Sequence, residues 1–201
     1  MILRSAIASP FVRKVRIAAG ILGLDSRITL ETADTTSPTD SVRAQNPLGK
    51  IPALVLDDGM VLFDSRVILD YLDHVAGGGR IVPADPGARF SALRLQALAD
   101  GLMDASVLLV YEGRWRPAER HEPKWVDHQA GKVTRTLTAL EAAPPALTAP
   151  PDVGQIALAC ALGYRDFRFA GTWRNDHPRL VRWLDGFAAQ VPAFAATKPE
   201  G

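Results

Sequence analysis

From Pro10 to Leu24 the apolar positions Val12, Val15, Ala19 and Leu22 fall three and four residues apart. That spacing predicts a helix, with Gly23 as its stop. On either side the period shortens. Met1 to Leu3 is a short apolar run, and Ile28, Leu30 and Thr32 alternate with polar neighbours as in a half-buried strand. Residues 34–46 are rich in Thr, Ser, Asp and Pro and predict an irregular connection or a short helical turn. Ala53 to Leu56 and Met60 to Leu62 flank Asp57-Asp58-Gly59, a hairpin signal because glycine supplies a positive φ. Val67, Ile68, Tyr71, Leu72 and Val75 then return to helical spacing. The order βαβ followed by ββα predicts a small mixed sheet with helices packed on it.

Gly77-Gly78-Gly79 and the stretch Pro83 to Gly87 mark a flexible boundary. Beyond it no strand pattern stands out. Ala88 to roughly Tyr111 reads as one long helix, and Trp125 to Leu140 as another with Val133, Leu137 and Leu140 on one face. Pro144 to Pro151 interrupts the pattern. Asp152-Val-Gly-Gln155 precedes the apolar run Ile156 to Leu162 and forms a capping-box variant. Pro178 opens a last helix carrying Leu180, Val181, Leu184, Phe187 and Val191 on one face. The expected division is an α/β domain over 1–76, a linker over 77–87 and an all-helical domain over 88–201, without internal repeats.

Composition narrows the class. In 201 residues, 47% are hydrophobic, which is ample for a core, and 23 basic against 22 acidic side chains give a formal charge of +1. Such a balance offers no electrostatic reason to expect nucleic acid or an anionic membrane as partner. Cys160 is the single cysteine, so no internal disulfide framework exists and a reducing, cytoplasmic location is expected. No apolar stretch approaches the roughly 20 residues of a membrane span. Arg4 and an early Ser-Pro, without a long apolar core, give no expectation of a secretory signal. His74, His121, His128 and His177 lack metal-ligand spacing with one another or with Cys160, and no metal site is expected.

The candidate chemistry lies in three short segments. Ser9 stands directly before Pro10, an N-cap followed by proline at the first helical position. Capping alone would account for it. The same geometry lets a serine accept from a helix N–H while its proton points at a thiolate, with the helix N-terminus favouring the anion. Asp64-Ser65 opens the next predicted helix, where either residue can cap. Between them Ile51-Pro52 leads into a strand. Cys160 lies in an apolar helical run and reads as a small buried hydrophobe.

Ser9-Pro-Phe-Val-Arg-Lys-Val-Arg16, Asn46-Pro-Leu-Gly-Lys-Ile-Pro52, Phe63-Asp-Ser-Arg66 and Asp152 to Phe167 occur in an order that resembles the cytosolic glutathione transferases. The likeness is to bacterial members with serine at the first helix, and Ala99 to Ala105 is also similar to that group. The Ser-Ser-Cys/Ser-Ser pattern of the zeta class is absent, which disfavours a maleylacetoacetate isomerase. The resemblance implies a thioredoxin-like N-terminal domain, an all-α C-terminal domain, and glutathione as co-substrate with no other cofactor. It implies Ser9 as the catalytic residue that stabilises the thiolate, with Ser5 as runner-up. Phe11, Lys50, Ile51, Pro52, Asp64 and Ser65 would bind glutathione. Pro52 would be cis, turning the Ile51 backbone toward the cysteinyl peptide. Lys50 would meet the glycyl carboxylate, Ser65 the γ-glutamyl carboxylate, and Asp64 the ammonium group. Asn46 and Arg66 rank below these. A small hydrophobic electrophile would lie between Ile7 and Phe11 on one side and Met103, Val107 and Tyr111 on the other, with Trp115 nearby. A homodimer and a role in detoxification are further family expectations. A non-catalytic glutathione-binding or protein-interaction module on the same scaffold is the alternative, and an ether-cleaving or dehalogenating specialist is a third.

Overall fold

The computed structural model describes residues 1–199. Strand β1 (Ile2–Ser5) leads through a short loop to helix α1 (Pro10–Leu22). A 3-10 turn then carries the chain to β2 (Thr29–Thr32). The irregular segment after it contains one short helix, α2 (Val42–Gln45). Strands β3 (Ala53–Val55) and β4 (Val61–Leu62) form the expected hairpin, with Gly59 at φ 87° in its turn. Helix α3 (Ser65–Val75) completes the domain. The sheet order is β2-β1-β3-β4, with β1 parallel to β2 and antiparallel to β3. Helix α1 is the crossover between the two parallel strands.

One expectation about this domain is corrected. All four residues of β2 are exposed, including Leu30 at 49%. The strand lies at the sheet edge, beyond the cover of α1 and α3, so its alternation marks a strand without a buried face. The segment after β2 is also better fastened than its composition suggests. Buried Arg4 on β1 donates to Ser41, Gln45 and Asp40, the last at 3.0 Å, and thereby ties this connection to the sheet.

The glycine-rich boundary is pinned rather than loose. Gly77, Gly78 and Gly79 all have positive φ, which lets the chain turn sharply at the end of α3. The buried Asp73 carboxylate then accepts from the backbone N–H groups of Gly79, Arg80 and Ile81 at 2.8, 3.0 and 2.8 Å. Ile81 in turn accepts from Val153 N–H at 2.9 Å, anchoring the linker to the helical domain.

That domain starts at α4 (Pro86–Trp115), capped by Asp85, so the helix begins inside the stretch expected to be linker. It continues through α5 (Pro123–Ala142), α6 (Val153–Arg168), α7 (Pro178–Gln190) and α8 (Pro192–Ala196). Asp152 caps α6 by accepting from Gly154 and Gln155 N–H, both at 2.9 Å. Gln155 does not reach back to close a capping box. Its amide instead donates to the Ala146 carbonyl and accepts from Thr148, bracing the Pro-rich break. Helix α6 is the central element, buried continuously from Val153 to Tyr164. A Cβ on Gly154 would fall 2.5 Å from the Ala92 carbonyl oxygen, so glycine permits the close approach of α4. Helix α1 packs on α6, so a single apolar core runs through both domains, from Leu3, Val15 and Leu54 to Ile156, Leu158 and Phe187.

Candidate functional site

Helices α1, α3 and α4 meet through Lys14, Ser65 and Asp100, near the start of α3. Ser9 has extended backbone and its hydroxyl oxygen accepts from Val12 N–H at 3.3 Å. A hydroxyl that accepts in this way keeps its proton free to donate elsewhere. Ser9 is half-buried, and exposed Ile7 lies just before it in the same loop. Ser5, by contrast, is buried at the end of β1 with its hydroxyl turned to the Glu31 carbonyl, 3.4 Å away.

The Ile51-Pro52 peptide bond is cis, as the resemblance implied. Neither the N–H nor the C=O of Ile51 has a backbone partner among the described residues, which leaves an open edge ahead of β3. The loop before it is held from within. Buried Asn46 donates from its amide to the Lys50 carbonyl at 2.9 Å and accepts from Leu48 N–H at 3.1 Å. Asn46 thus shapes the loop that presents Lys50, whose own side chain is exposed.

At the head of α3, Asp64 caps the helix by accepting from Arg66 N–H at 2.8 Å, and also pairs with the Arg66 guanidinium at 2.7 Å. Burial pushes the Asp64 carboxyl up, but the hydrogen bonds and charges of Arg66 and Lys14 outweigh it and hold the group below its ordinary pKa. Ser65 is buried. Its hydroxyl accepts from Lys14 Nζ at 3.1 Å, and the same ammonium lies 2.6 Å from Asp100 on α4.

Lys14 was not legible as a site residue. It reads as a solvated charge in the first helix, yet it is fully buried and joins α1, α3 and α4. The usable signal lies in its own helix: Ile17 and Ala18, three and four residues on, are buried, so the turn above Lys14 faces inward. Asp100 and Asp104 were also missed. Burial raises both carboxyls above the ordinary value, with Lys14 opposing the shift at Asp100, and Lys50 and Arg66 opposing it at Asp104.

Of the residues expected to hold an electrophile, Val107 is half-buried and Tyr111 is 36% exposed along α4, with Trp115 more exposed beyond them. Met103 is completely buried and belongs to the core, so it cannot line a pocket surface as expected. Phe11 is half-buried on α1, its ring centroid 6.0 Å from Lys14 Nζ. Cys160 is enclosed in α6, and burial pushes its thiol up to about 12, far from a nucleophilic state. Among the described residues, no group of three or more His, Cys, Asp or Glu is arranged to hold a metal, and no helix is long and apolar enough to cross a membrane. A separate groove of about 680 Å³, lined by Gly20, Ile28, Leu30, Val191 and Ala193, includes none of the candidate site residues.

Comparison with known proteins agrees with this geometry. Residues 8–75 match the glutathione S-transferase N-terminal domain and residues 123–186 the C-terminal domain. The chain is 35% identical to the uncharacterized GST-like protein YibF of Escherichia coli, covering 99% of this chain and 98% of that one. It is 46% identical to a glutathione transferase family member from Pseudomonas fluorescens Pf-5. That protein's structure with bound glutathione superposes with a TM-score of 0.92, covering 100% and 99% of the two chains. A second structure of it, with bound S-(propanoic acid)-glutathione, gives a TM-score of 0.88 with complete coverage of both chains. The cis bond before Pro52 and the extent of these matches lead to one conclusion: the chain belongs to the glutathione S-transferase family.

Proposed function

We propose that the chain binds glutathione in a cleft between its domains, stabilises the thiolate through Ser9, and directs it at a small hydrophobic electrophile. The observation that carries this is the unpaired backbone edge at Ile51, ahead of β3, in the domain where α1 and α3 meet at Lys14 and Ser65. The tripeptide would pair with Ile51 in the manner of an added strand. Lys50 would face the glycyl carboxylate. Ser65, at a helix start that favours anions, would take the γ-glutamyl carboxylate. Asp64, held ionised by Arg66, would receive the ammonium group. Phe11 and Pro52 would pack against the peptide.

The sulfur would then lie at the head of α1, where the free proton of Ser9 and the helix dipole both favour a thiolate. Attack on the electrophile needs little else from the protein than positioning and charge stabilisation. Ile7, Phe11, Val107 and Tyr111, backed by Met103, would hold the electrophile. The P. fluorescens relative with bound S-(propanoic acid)-glutathione supports a pocket that tolerates a substituent on sulfur. Met60, Val67 and Phe90 are 57%, 47% and 69% exposed around β4, α3 and the start of α4, which supports a homodimer burying them. The buried free thiol suits a reducing cytoplasm.

Calorimetric titration with glutathione, run beside thiol consumption with a model aromatic halide, tests the proposal. Binding and turnover are expected together. No binding at millimolar glutathione would contradict it, and binding without turnover across a broad electrophile panel would favour a non-catalytic module. Light scattering that finds a stable monomer would refute the dimer.

A further inference from the structure

A fully buried ammonium is costly unless paired, and Asp100 at 2.6 Å supplies the pairing. For packing alone, two apolar side chains in those positions would serve as well or better. The second contact of Lys14 is what separates it from a structural ion pair. An ammonium has only donors, so in the 3.1 Å bond to Ser65 the hydroxyl oxygen must accept. The Ser65 proton is thereby directed away from Lys14, and no acceptor for it exists among the described residues. The Ser65 backbone N–H, first of the helix, also lacks an acceptor there. Two Ser65 donors thus converge at one helix start with no acceptor among the described residues, beside an ammonium paired with Asp100.

We infer that Lys14 is a positioning residue for the γ-glutamyl carboxylate: it holds the Ser65 hydroxyl in the donating orientation and places a buried positive charge behind it. This rests on glutathione being the ligand. Asp100 fixes the ammonium from the far side, and Arg66 Nε, 3.8 Å from the other Asp100 oxygen, steadies that carboxylate. Lys14 acts through Ser65, so its effect is specific to one carboxylate of the ligand, which a merely structural ion pair would not be.

The test uses the full chain and two peptides: glutathione, and the analogue with γ-aminobutyryl in place of γ-glutamyl, which lacks only that carboxylate. Wild-type protein should bind the analogue about tenfold or more weakly, the scale of a lost charge-assisted hydrogen bond. The paired variant Lys14→Met with Asp100→Leu, its fold checked by circular dichroism, should bind the analogue like wild type but lose most of the preference for glutathione. Equal loss for both peptides, or an undiminished preference, would overturn the assignment of Lys14. Should that pair not fold, Lys14→Met with Asp100→Asn removes both charges and the donor to Ser65, and carries the same expectation. Wild-type protein that binds neither peptide would remove the glutathione proposal itself, and this inference with it.

Discussion

Lys14 Nζ lies 2.6 Å from Asp100 Oδ1, so a buried charge pair bolts the first helix of the sheet domain to the long helix of the other. Removing one partner strands the other charge. Lys14→Met alone should lower unfolding free energy by roughly 3–5 kcal/mol, and the doubly neutral Lys14→Met, Asp100→Leu chain should recover most of that. Urea unfolding of the three proteins measures it; a single variant as stable as wild type would contradict the pairing.

Asp73 gathers the backbone N–H groups of Gly79, Arg80 and Ile81. Asp73→Ala leaves three donors without their acceptor and should cost roughly 2–4 kcal/mol. Hydrogen exchange at those three amides should accelerate ahead of the core of α6. Unchanged exchange would mean the linker is held by something else.

Cys160 provides a signed pH effect. Its thiol is raised by burial from an ordinary value of 9.0 to about 12 in the folded chain. Its contribution to stability is therefore complete below the unfolded pKa and is lost as pH rises from there through the folded value. The wild-type urea midpoint should fall more steeply between pH 9 and 10 than that of Cys160→Ala. A thiol reagent should react with Cys160 only after unfolding.

Asp152 separates capping from charge. Its carboxyl is raised chiefly by burial, opposed by the Gln155 and Gly154 N–H groups it caps. The fold therefore favours the protonated carboxyl, and that contribution to stability is present below the ordinary carboxylate pKa and lost as pH rises through the folded value. Asp152→Asn, which still caps, should be close to wild type at neutral pH, whereas Asp152→Ala should lose roughly 1–2 kcal/mol. Equal losses in thermal unfolding would contradict this.

What was legible in the sequence was local. Ser9-Pro10, Asp57-Asp58-Gly59, Asp64-Ser65 and Asp152 each declare a turn or a helix start through neighbours within a few residues, and each element formed where expected. Residues whose partners lie far along the chain were not legible. Arg4 reaches Asp40, and Lys14 reaches Ser65 and Asp100, so nothing adjacent to either announces its burial. Leu30 fails in the opposite sense: its alternation is that of a strand, but only the sheet order shows that the strand is an edge. Gly77 to Gly79 signalled flexibility, whereas the carboxylate of Asp73 fixes the segment that follows them. The resemblance named Met103, Val107 and Tyr111 alike, and only the fold shows that Met103 belongs to the core.

Activation of sulfur by Ser9 is the central claim, and the pKa of the bound thiol tests it most directly. Thiolate absorbance of saturating glutathione should be titrated against pH on wild-type protein and on Ser9→Ala. The account predicts a bound thiol well below the free value of about 8.5 in wild type, returning toward that value in the variant with a matching fall in turnover. The same thiol pKa and the same turnover in both proteins would contradict it, leaving Ser9 as the cap of α1 and nothing more.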